Sequence, residues 1–186
     1  HLASFALNDE SALLMPSCPR RNRPKQPFPY CNEVMTGFEY TAATHMLYET
    51  QTENGLNAIA AVRARYDGRR RNPFDEAECG HHYARAMASW TGVLAMTGFH
   101  YSAVDTTICF NAPASKTRWF WSAGYAWGVC VLEPTETGIH MTLDVIEGEL
   151  AVSRCILIGC GESLLPETHI VRNNQPLRCD VPCREP

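Results

Sequence analysis

At 186 residues, 45% of them hydrophobic and 19% charged, the chain has enough length for one domain, or a domain and a half, with a real core, so wholesale disorder is excluded. A net charge of −4 with seven histidines counted neutral argues against a general nucleic-acid binder, and no stretch approaches the roughly 18 apolar residues of a membrane-spanning helix. His1 is not an initiator methionine and no charged-then-apolar leader follows it, so the chain reads as a fragment or processed product of something longer.

Residues 1–31 read as an extended surface segment. Five prolines and four basic residues crowd 16–31, and proline lacks a donor and restricts its predecessor. Helical patterning occupies 32–101. Asn32 is a candidate cap for a helix starting near Glu33, with Phe38, Thr41, Ala42, His45, Met46 and Glu49 at helical spacing. Gly37 and the small residues Thr41–Thr44 would let a neighbouring helix come close. A second helix fits Asn54 to Tyr66, stopped by Asp67-Gly68, and a third runs from about His81 to Thr97, with Tyr83, Met87, Trp90 and Leu94 on one face and Gly98 as its stop.

After Tyr101 the character changes. The runs 119–133, 138–152 and 153–159 are aromatic or β-branched and separated by Gly, Pro and Thr turns, which predicts a small antiparallel sheet over 102–165. The proline-rich stretch 166–186 reads as an extended tail. Helices followed by strands imply two layers or subdomains.

The chemistry concentrates in residues 66–90, YDGRRRNPFDEAECGHHYARAMASW. Carboxylates satisfy sugar hydroxyl donors through charge-assisted bonds, and arginine offers a fixed fork of donors. Glu76 in the loop and Arg85 nine residues later, about a turn into the helix, can face one cavity. The competing reading makes Glu76 and Glu78 a helix-start decoration paired to Arg85. Glu33, opening the first helix, is a third candidate carboxylate.

Weaker signals surround this cluster. Adjacent His81 and His82 point about 100° apart on a helix and serve one ion poorly. Arg63, Arg65, Arg69, Arg70 and Arg71 read as a solvated turn with partners in Asp67 and Asp75. Trp119, Trp121, Tyr125 and Trp127 could stack on sugar rings, but aromatic-rich strands are more often core. Nine cysteines with no CxxC suit free thiols in a reducing compartment such as the cytoplasm better than structural zinc. With no phosphate loop, GxSxG or HExxH, no cofactor and no resident metal is implied.

The segments NEVMTGFEYTAATHML (32–47), ARYDGRRRNPFDEAECGHHYARAMASW (64–90) and FWSAGYAWG (120–128) resemble the C-terminal part of glycoside hydrolase family 116, the group of the non-lysosomal glucosylceramidase and related β-glucosidases. The similarity spans residues 27–160, and the RYDG…RNP…E.ECG..YAR pattern is its most specific piece. It implies a mainly α fold followed by β: the last helices of an (α/α)6 catalytic barrel over 32–101, then a small antiparallel β-rich extension. It also implies a retaining mechanism on β-glucosides or glycolipids, with nucleophile and acid/base on the upstream part of the same polypeptide. No catalytic residue is therefore assigned within the chain, which alone is expected to be inactive. Glu76 and Arg85 match glucose-contacting positions, and Glu33, in the NEVMTG motif, matches another. The alternative is a non-catalytic helical module for carbohydrate binding or assembly.

Overall fold

The computed structural model describes residues 6–16, 18, 20, 22, 25–26, 30–31, 33–78 and 81–183. The candidate cap Asn32, Cys79 and much of the proline-rich 16–31 stretch lie outside the described residues. The chain divides into two compact units, 1–95 and 96–186.

The first unit holds α1 (Thr36–Tyr48), α2 (Thr52–Arg65) and most of α3 (Ala86–Thr97). α1 ends in a Schellman arrangement: the N–H of Thr50 bonds Leu47 O (3.2 Å), that of Gln51 bonds Met46 O (2.8 Å), and Thr50 takes φ of 61°. The close approach anticipated from small residues in α1 occurs between Ala43 and Gly55. A Cβ on Gly55 would stand 2.8 Å from the Ala43 carbonyl oxygen, so α2 seats on α1 there. The apolar cluster is small, namely Tyr40, Val62 and Tyr66 with Ile59 and Ala88 packed on it. Beside it lies a buried ion pair, Glu39 with Arg65, both side chains 1% exposed. This pair tethers the leading segment. Glu39 accepts the Leu13 N–H at 2.9 Å, Arg65 donates to the Ser11 carbonyl, and Arg71 holds Glu10 at 2.7 Å.

The third helix starts five residues later than its apolar pattern suggests. The Asp75 carboxylate accepts the His82 N–H at 2.7 Å, and His82 sits at φ of 74°, where a right-handed helix cannot continue. Tyr83 instead forms an antiparallel bridge with Glu76. Met87 (89% exposed), Trp90 and Leu94, which share one face in the sequence pattern, are all exposed.

The second unit corrects the fold expectation. It is built of eight strands: β1 (His100–Ser102), β2 (Thr107–Asn111), β3 (Thr117–Ser122), β4 (Trp127–Pro134), β5 (Gly138–Glu147), β6 (Glu149–Ile158), β7 (Gly161–Arg172) and β8 (Leu177–Pro182). They form two four-stranded sheets, ordered β1-β2-β6-β7 and β3-β4-β5-β8. With three helices of 13, 14 and 12 residues against these eight strands among the described residues, the fold is β-rich and is not an (α/α)6 helical barrel. Nor do the strands make a single small antiparallel sheet, because β2 pairs with β6 in parallel. The expected tail at 166–186 is largely strand: β7 and β8 complete one sheet each.

Alternating burial along β4 and β5 turns one face of each strand inward. Side chains of both sheets form one core, including Ile108, Phe110, Leu150 and Leu157 from the first and Trp121, Leu132, Met141 and Leu143 from the second. A disulfide joins Cys160 to Cys183, which corrects the expectation that every cysteine is a free thiol. Among the described residues, no helix is long and apolar enough to cross a membrane.

Candidate functional site

Tyr66, at the end of α2, accepts the Ala77 N–H on its hydroxyl at 3.2 Å. That bond fixes the backbone between Glu76 and Glu78. The Glu76 N–H bonds Tyr83 O at 2.8 Å, closing a short loop that returns the chain to Arg85. Arg85 then stands at the start of α3, its carbonyl accepting the Ser89 N–H at 3.0 Å. It is not a turn inside the helix, as the pattern suggested.

The side chains of this loop converge on the first turn of α1. Glu76, 6% exposed, accepts a hydrogen bond from the hydroxyl of the fully buried Thr36. Arg85 lies against the next residue, Gly37. A Cβ there would meet Arg85 Nε at 3.1 Å, so the missing side chain makes room for the guanidinium. Arg85 is forked onto Glu78, with Nε 3.0 Å from Oε2 and an Nη donating to the other oxygen. Its Cζ also sits 4.5 Å from the Tyr83 ring centroid. The hydrogen bond to Glu78 raises the guanidinium above its ordinary range despite opposing desolvation. Glu78 is 2% exposed, whereas the Arg85 side chain keeps 32% of its surface.

Glu76 and Arg85 thus reach neighbouring residues, Thr36 and Gly37, and a group arriving from solvent meets Arg85 first. Glu33 lies at the entry to α1, buried, with its N–H on Tyr30 O (3.0 Å) and its carbonyl taking the Met15 N–H (3.1 Å). Three cavities formed by described residues are lined elsewhere. One of about 270 Å³ lies beside Glu39, Asn54 and Asn57, one of about 370 Å³ between Leu13–Met15 and α1, and one of about 730 Å³ beside Thr135–Gly138 and Cys160.

The supporting residues Thr36, Tyr66 and Tyr83 were not candidates from the sequence. Thr36 and Gly37 do fall in the NEVMTG motif, which is the signal that could have found them. The other sequence candidates scatter. Asp75 gathers His81 and His82 at 3.4 and 3.3 Å on the exposed loop. No group of three side chains suited to a metal occurs among the described residues. Trp121 is buried and stacks on Phe99 with centroids 5.9 Å apart, while Tyr125 and Trp127 remain exposed on the second unit. Of the arginine run, Arg65 is fully buried, and Arg70 and Arg71 bind Asp9 and Glu10. No family model matches this chain, and no curated protein sequence matches it.

Proposed function

We propose that this chain belongs to a retaining β-glycosidase acting on β-glucosides, possessing sugar-contacting groups while the nucleophile and the acid/base belong to the upstream part of the same polypeptide. The observation that supports this reading is that Glu76 bonds Thr36 while Arg85, paired to Glu78, packs against the adjacent Gly37 in the first turn of α1. Arg85 is braced by Glu78 and Tyr83, so its solvent-side donors are held in place before a ligand arrives. Two neighbouring ring hydroxyls suit such a fork. Glu76 then accepts a hydroxyl proton on the oxygen edge left beside its bond to Thr36.

In a retaining enzyme such bonds hold the ring in a distorted geometry and strengthen as oxocarbenium character develops. Ligand-observed NMR with a glucose-like iminosugar tests the contact. Arg85→Ala is expected to lower affinity by ten-fold or more, since a charge-assisted bond contributes roughly 1.5–3 kcal/mol. Unchanged binding in both Arg85→Ala and Glu76→Gln removes these residues from the site. The chain alone is expected to leave an aryl β-glucoside intact, and turnover would overturn the placement of the chemistry upstream.

A non-catalytic carbohydrate-binding module is the second reading. It is favoured by the self-contained core of the second unit and by the exposed rings of Phe120 and Trp127, 6.2 Å apart. Loss of glucan binding in Trp127→Ala, with Arg85→Ala unaffected, would select it.

A further inference from the structure

Four cysteines are spaced in a way that the sugar site does not use. Cys155 precedes Cys160 by five residues, and Cys179 precedes Cys183 by four. The disulfide Cys160–Cys183 joins the chain just beyond β6 to the chain just beyond β8, which belong to different sheets. Moving back along both strands from that bond leads to Cys155 and Cys179, about 13–17 Å away at about 3.3 Å per residue. Both point inward. Cys155 is fully buried in the shared core, Cys179 packs against that core and is partly exposed, their strands β6 and β8 are in contact, and each thiol shifts the ionisation of the other.

The other thiols of the second unit are placed differently. Cys109 is registered with Ile156, one position off Cys155, so it faces the opposite side of its sheet. Cys130 faces the core from β4, but β5 lies between β4 and β8. Two strand spacings, about 9–10 Å, separate it from Cys179, beyond the roughly 7 Å reach of a disulfide.

We propose that Cys155 and Cys179 are a latent second disulfide between the sheets, formed when a low-molecular-weight disulfide such as oxidised glutathione reaches Cys179. The Cys179 thiol gives its proton to solvent, and its thiolate attacks one glutathione sulfur. The S–S bond breaks, and one glutathione thiolate leaves and takes up a proton. Cys155 then loses its proton, attacks Cys179 Sγ in the mixed disulfide and expels the second glutathione. Two protein thiols are oxidised and one oxidised glutathione is reduced to two thiols. The order of attack follows from the site. Cys179 is partly exposed, so glutathione reaches it first. Cys155 is fully buried, and the neighbouring Cys179 together with burial pushes its thiol up. The first disulfide keeps both strand ends fixed, so the second pair closes without bringing distant segments together.

The test equilibrates the full chain in glutathione buffers from reducing to oxidising, then traps thiols under denaturing conditions and maps peptides by mass. A Cys155–Cys179 linked peptide is expected to appear in addition to Cys160–Cys183. The melting temperature of the second unit should rise by about 5–15 °C as it forms. Cys179→Ala should lose both the peptide and the shift, and Cys109→Ala should keep both. Full alkylation of Cys155 and Cys179 in the most oxidising buffer, or a Cys130–Cys155 link in their place, overturns the proposal. The peptide map of the unsubstituted chain decides the matter even where a buried substitution fails to fold.

Discussion

The two units solve the problem of an interior in opposite ways. The second encloses an apolar core with contributions from both sheets, in which Ile108, Phe110, Leu132 and Leu143 are fully buried. Among the described residues of the first, the buried apolar cluster is Tyr40, Val62 and Tyr66, Val34 and Met35 are buried as well, and charge is buried in the same unit: Glu39 on Arg65, Glu76 on Thr36, and Glu78 on Arg85. An apolar core is non-directional and tolerant, whereas buried charges specify geometry and fail badly when one partner is removed. The candidate sugar site therefore lies in the unit whose interior is polar and directional.

The largest expected effects break this comparison directly. Glu39→Ala strands a buried Arg65 and is expected to cost the first unit about 3–5 kcal/mol. Replacing the pair together, Glu39→Leu with Arg65→Met, should recover some of that loss, because no uncompensated charge remains. Phe110→Ala in the second unit is expected to cost about 3–5 kcal/mol by leaving a cavity, and no second substitution of a polar partner should rescue it. Chemical denaturation followed by probes in each unit reads both. Equal rescue in the two units would erase the distinction.

Gly55→Ala comes next, at about 1–3 kcal/mol, because its methyl group would push against the Ala43 carbonyl and Leu47. A thermal melt unaffected by this change would mean that α1 and α2 separate freely.

Acid sharpens the picture at the edge of the first unit. The hydrogen bond from Arg71 holds the Glu10 carboxyl below its usual 4.5, against the opposing effect of burial. A depressed folded value means that its stabilising contribution is present above about pH 4.5. That contribution is lost as pH falls through the lower folded value. Backbone amides of residues 7–13 should exchange faster at pH 3 than at pH 5.5 after correction for intrinsic rates, and Arg71→Ala should remove the difference. The smallest effect is a gain. Thr50→Gly should stabilise α1 by about 0.5–1 kcal/mol, since a β-branched residue holds the left-handed position there.

What could be read in the sequence was local. The apolar spacing of α1 and α2 and the Asp67-Gly68 stop suffice for two helices, and the aromatic and β-branched runs between 119 and 159 suffice for strands. The start of α3 was not legible, because His82 is held by a side chain seven residues away. The proline-rich tail misled for a different reason. Pro166 falls where the β6–β7 register shifts, between the Val152–His169 and Arg154–Leu164 pairs, so an edge strand accepts it. Pro182 ends β8.

The barrel expectation rested on short motifs, and motifs describe loops and helix starts without fixing how many helices follow. In the site, Arg85 pairs directly with Glu78, as the helix-start reading of the sequence had it, while Glu76 bonds Thr36. Thr36, forty residues from Glu76, and Tyr66 acting on Ala77 were invisible to any local pattern. The Cys160–Cys183 bond is likewise long-range, with a separation of 23.

The central claim is that Glu76 and Arg85 act together on one sugar. A double-mutant cycle with Glu76→Gln and Arg85→Lys, read as affinity for a glucose-like iminosugar by calorimetry, tests it most directly. Two groups gripping the same ring should show a coupling of about 0.5–3 kcal/mol, with each single change weakening binding. Additive effects within about 0.3 kcal/mol, or affinity unaltered by either change, would contradict the account.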